Sequence, residues 1–71
     1  MSTFGERLDQ AIGDSGYSYV DFSEQIGMDE DTVNDIIKGC FGVVNTDLAI
    51  ILRALPHTDA RWLICGDNNE N

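Results

Sequence analysis

The sequence predicts an all-α domain, a compact bundle of five short helices. Three observations carry that expectation. Apolar residues recur at helical spacing in five separate stretches, capping residues stand before them, and glycine or proline stands after them. No strand-like alternation persists, and no repeat or low-complexity segment interrupts the pattern. A chain of 71 residues buries only about 60% of the surface its unfolded form exposes, so one core is the ceiling.

The first helix is expected near residues 4–15. Thr3 and Glu6 have the spacing of a capping box, Phe4, Leu8, Ala11 and Ile12 form the apolar stripe, and Gly16 offers a stop. Ser18 caps a short second helix, residues 19–26, with Phe22 and Ile26 on one face and Gly27 at its end. Asp29 is the expected cap of the third. There Val33, Ile36 and Ile37 face inward, while Glu30, Asp31, Asn34, Asp35 and Lys38 face away, and Gly39 ends the helix. A loop from Cys40 to Asn45 leads to Thr46, the expected cap of a fourth helix carrying Leu48, Ile51, Leu52 and Leu55 before Pro56. Thr58 or Asp59 starts the last helix, with Trp62 and Leu63, and Gly66 closes it. The polar residues Asp67 to Asn71 read as a frayed tail.

The segment from Gly16 to Gly39, GYSYVDFSEQIGMDEDTVNDIIKG, is the informative one. Gly27 permits a tight turn between two helices, and the apolar residues on either side set the wide angle at which the second helix projects. Ser18, Phe22, Ile26, Gly27, Thr32, Val33, Ile36 and Gly39 fall where the Cro and lambda-repressor helix-turn-helix family has its pattern, and the segment resembles that family. Downstream, ALPHTDARWLICGD resembles the tryptophan-leucine-leucine-threonine-glycine ending of phage-repressor-like members, with Cys65 in place of threonine. The likeness runs over residues 4–67. It implies a lambda-repressor-like DNA-binding domain over 1–67 with a polar tail over 68–71, and hence a DNA-binding transcription regulator.

In relatives the projecting helix enters the major groove. The resemblance therefore puts Tyr19, Glu30, Asp31, Thr32, Asn34 and Asp35 on the DNA-facing side, with Lys38 beside them. Relatives generally carry arginine, lysine, glutamine or serine at most of these places. Asn34 has the chemistry to pair with adenine, and a carboxylate can accept from the amino group of cytosine.

Phosphate contact is harder, because thirteen acidic residues against four basic ones give a formal net charge of -9. The basic residues are Arg7, Lys38, Arg53 and Arg61. A nucleic-acid binder ordinarily shows a basic patch or stripe. A carboxylate ~8 Å from a phosphate costs roughly 0.5 kcal/mol in water, so Asp29, Glu30, Asp31 and Asp35 together oppose contact by about 2 kcal/mol before screening. Two partner classes follow: double-stranded DNA, from the resemblance, or a basic protein bound by an acidic face that mimics DNA. Asp29, Glu30 and Asp31 also have a purely structural reading, since they complement the positive end of the helix dipole. Asp35 lacks one, standing four residues after Asp31 as a like charge.

Val43, Val44, Ile50, Ala54 and Ile64 lie off the predicted core stripes. They read either as scattered surface apolar residues or as a self-association patch of a homodimer. Trp62 reads as core. His57 sits in a connector without a nucleophile, so no enzyme is expected, and no cofactor. Cys40 and Cys65 are not in a C-x-x-C arrangement and read as reduced thiols rather than zinc ligands. Met1 to Phe4 carries no basic run, and no apolar stretch approaches the ~18 residues that span a bilayer, so a cytoplasmic protein without membrane contact is expected.

Overall fold

The computed structural model describes residues 2–40 and 42–66. These form five α-helices: α1 Phe4–Asp14, α2 Tyr19–Ile26, α3 Glu30–Lys38, α4 Asn45–Ala54 and α5 Ala60–Cys65. The polar tail expected to fray lies outside the described residues. No helix among the described residues is long and apolar enough to cross a membrane.

Local chemistry explains most of the boundaries. The capping box at α1 is formed in both directions: Glu6 N–H donates to Thr3 Oγ1 at 3.1 Å, and Thr3 N–H donates to Glu6 Oε1 at 2.9 Å. At α2 the Ser18 hydroxyl accepts from Asp21 N–H at 3.1 Å. Tyr17, just before that cap, meets Phe22 across the first turn with ring centroids 5.7 Å apart, a hydrophobic staple that fixes how the chain approaches the helix. Gly27 then adopts φ 71°, and Met28 N–H reaches back to the Ser23 carbonyl at 3.0 Å. That left-handed residue is what lets α2 stop after eight residues and α3 begin three residues later.

Two caps differ from the sequence expectation. Asp29 occupies the N-cap of α3 with extended backbone, but its side chain makes no capping hydrogen bond. Glu30 and Asp31 in the first turn instead complement the dipole. Thr46 does not cap α4 but lies inside it. The N-cap is Val44, whose side chain can accept nothing. Val43 and Leu48 stand at the staple positions around that cap and line one groove, and α4 starts without a side-chain cap.

The core consists of Leu8, Ala11 and Ile12 from α1, Phe22 and Ile26 from α2, Val33 and Ile36 from α3, Ile51 from α4, Leu55 after it, and Leu63 from α5. Trp62 is half-buried against this cluster. α1 packs on α3 and α5, and α2 packs on α3 and α4. The α1–α3 approach is close because Gly5 has no side chain: a Cβ there would lie 1.9 Å from the Ile37 carbonyl oxygen.

The apolar residues set aside as a self-association patch separate into two groups. Ile50 was expected on the side of α4 opposite the core. It is half-buried and packs against the core, as do Ala54 and Val43, because α4 is covered from more than one side: Gln25 of α2 shares a pocket with Ile50 and Ala54, and the Tyr17 hydroxyl donates to the Ala54 carbonyl at 3.4 Å. Val44 and Ile64 are exposed, as is Val20, which the sequence did not single out.

Candidate interaction surface on the third helix

α3 turns one side inward and leaves the other free. Val33 and Ile36 are buried, and Ile37 packs partly beneath them. Glu30, Asp31, Asp35 and Lys38 are exposed, and Thr32 and Asn34 are half-buried at the margins. A stripe at positions 31, 35 and 38 follows the i, i+4, i+7 spacing of one helix face, so two carboxylates and one ammonium lie in a row.

Tyr19, the first residue of α2, is half-buried against the core. Its hydroxyl donates to a carboxylate oxygen of Asp9 on α1. That hydrogen bond, helped by desolvation and by the Asp9 charge, holds the phenol above its usual pKa. A tyrosine hydroxyl that could have donated to a phosphate thus already has an acceptor.

Charge is distributed unevenly along the fold. From Phe4 to Lys38 the exposed carboxylates are Glu6, Asp9 and Asp14 on α1, Asp21 and Glu24 on α2, and Asp29, Glu30, Asp31 and Asp35 at α3. Over the same residues Lys38 is the one exposed base. Further along, Arg53, Arg61 and Asp59 are exposed and Asp47 is half-buried.

Arg7 accounts for the missing cation. It is buried, with 7% of its surface exposed. Its Nε donates to the Leu63 carbonyl at 2.9 Å and its Nη2 to the Ile64 carbonyl at 3.2 Å. Its Nη1 donates to the Ser2 carbonyl at 2.7 Å and to the Ser2 hydroxyl at 3.2 Å. The guanidinium therefore sits at the carbonyl end of α5, where positive charge is favoured by the dipole and satisfies acceptors the helix leaves open. Of the four basic residues in the sequence, Arg7 is thus withdrawn from the surface. Structurally it is a tie between α1, α5 and the residue before the first cap.

The remaining polar candidates stay apart from this surface. Cys40 and Cys65 are exposed free thiols. Among the described residues, no three histidine, cysteine or carboxylate side chains converge to hold a metal ion. His57 is exposed in the connector between α4 and α5. Comparison with protein-family models, curated proteins and solved structures finds no match for this chain.

Proposed function

We propose that the chain is a helix-turn-helix module of the DNA-binding transcription-regulator class, Cro/lambda-repressor-like in fold, with α3 as its recognition helix. The observation that carries this reading is the α2–α3 unit. A left-handed Gly27 joins the two helices, Val33 and Ile36 anchor the second, and its outer face from Glu30 to Lys38 is free. On this reading Asn34 and the carboxylates of α3 supply base contacts, and Lys38, Arg53 and Arg61 supply the phosphate contacts. Three cations release few counterions, so affinity for DNA of arbitrary sequence is low and its salt dependence shallow. Such a regulator works in the cytoplasm.

A second reading, a protein-interaction module whose acidic face binds a basic partner, is favoured by two specific facts: Arg7 is sequestered inside the fold and the Tyr19 hydroxyl is engaged by Asp9. Titration at low salt with random-sequence duplexes and candidate promoter duplexes separates the two. Preference for one promoter sequence supports the regulator. Loss of all duplex binding, with capture of a basic peptide that Asp31→Asn and Asp35→Asn abolish, supports the second reading and overturns the first.

A further inference from the structure

Away from α3, a cleft of about 730 Å³ opens between the end of α1, the end of α4, the 56–59 connector and α5. That volume lies within the few hundred to ~1,000 Å³ typical of small-molecule sites. Its walls combine two aromatic residues, Tyr17 and Trp62, with two exposed carboxylates, Asp14 and Asp59. Gln10 and His57 add to the polar rim, and among the described residues neither lysine nor arginine lines it.

We propose that this cleft binds an organic cation, a guanidinium or ammonium group, either free or on the side chain of a basic protein segment. Aromatic faces attract cations through the negative side of the ring quadrupole, and nearby carboxylates strengthen that attraction while setting the direction of the N–H groups. The platform is held in place. The Tyr17 hydroxyl donates to the Ala54 carbonyl at 3.4 Å and its ring leans on Phe22. Trp62 packs against the core, and Asp59 is fixed by accepting from Arg61 N–H at 3.3 Å. Guanidinium fits best, being planar, weakly hydrated and able to stack on an indole while donating sideways to carboxylates. No residue of α3 lines the cleft, so this site stands or falls separately from the recognition surface.

Trp62 is the chain's single tryptophan, so its fluorescence reports the cleft directly. The full chain is titrated with N-acetyl-arginine amide, with spermidine and with an alternating glycine-arginine peptide, and each titration is repeated with Asp14→Asn, Asp59→Asn and Glu24→Gln. Asparagine retains capping ability at position 59, and Glu24 on α2 is an exposed carboxylate outside the cleft, so it matches the charge change alone. The expected result is a saturable change in Trp62 emission that Asp14→Asn and Asp59→Asn each weaken about three- to fivefold and Glu24→Gln leaves nearly unchanged. Much tighter binding of the peptide than of capped arginine assigns the cation to a protein segment, and similar binding assigns it to a free molecule. Absence of saturation with all three probes, or equal weakening by Glu24→Gln, overturns the site.

Discussion

Replacing Gly5 with alanine tests the packing that presents α3. The new Cβ would lie 1.9 Å from the Ile37 carbonyl oxygen and 2.7 Å from its carbon, both backbone atoms that no rotamer change can move aside. Restoring van der Waals distance requires α1 and α3 to separate by roughly 1.5 Å, which also loosens the core that α1 and α3 share. Overpacking costs about 1–3 kcal/mol, and a helix-to-helix backbone clash belongs at the upper end. Alanine recovers at most about 1 kcal/mol through helix propensity. The net loss of about 2 kcal/mol is large against the ~4–10 kcal/mol that a domain of 71 residues can hold. At ~4–8 °C per kcal/mol, the thermal midpoint should fall by about 10–15 °C. The same substitution at Gly13, also in α1, meets nothing within 4 Å and should raise the midpoint slightly. Calorimetry or circular dichroism melting of both variants measures this. A Gly5→Ala protein as stable as the parent would refute the close α1–α3 approach.

Arg7→Met should cost about 2–3 kcal/mol in urea unfolding, because the Leu63 and Ile64 carbonyls lose a charged donor, and Arg7→Lys should recover only part of it; an unchanged midpoint would contradict the tie. Tyr19 has its folded-state pKa raised by the bond to Asp9, so the stability from that pair is fully present below pH ~10 and is lost as pH rises through the folded value. Tyr19→Phe should flatten that alkaline decline, which unfolding measured from pH 8 to 11.5 would reveal. Asp31→Asn with Asp35→Asn should leave stability equal or slightly higher and reduce the rise in thermal midpoint that added salt gives the parent, since exposed like charges repel and salt screens them.

Element order and the limits of α1 to α3 were legible because their signals are local. A threonine-glutamate box, a serine cap and glycines beyond the last apolar residue act within one turn of the helix they bound. The start of α4 was not legible in the same way, because its N-cap is Val44, which has no capping side chain, and Thr46 merely resembles a cap. The outward face of α3 followed from its period, but the state of its neighbours did not. The Tyr19–Asp9 bond, the Gly5–Ile37 contact and the Arg7–Leu63 bond join residues on different helices, and spacing along one helix carries no trace of them. Arg7 did leave one clue: it stands three residues after Phe4 and four before Ala11, on the apolar stripe of α1. A charged residue on a buried stripe needs an internal partner, and the open carbonyls of α5 provide it.

On the proposed regulator reading, α3 is a recognition helix whose carboxylates limit DNA affinity. Fluorescence-anisotropy titration of a non-specific duplex across a salt series measures it most directly, comparing the parent with a variant carrying Glu30→Gln, Asp31→Ser and Asp35→Arg. The parent should bind more weakly than the ~10⁻⁴ to 10⁻⁶ M usual at physiological salt, with a shallow salt slope, and the variant should bind more tightly with a steeper one. Micromolar binding by the parent with a steep slope, or a variant with no gain at all, would contradict the account.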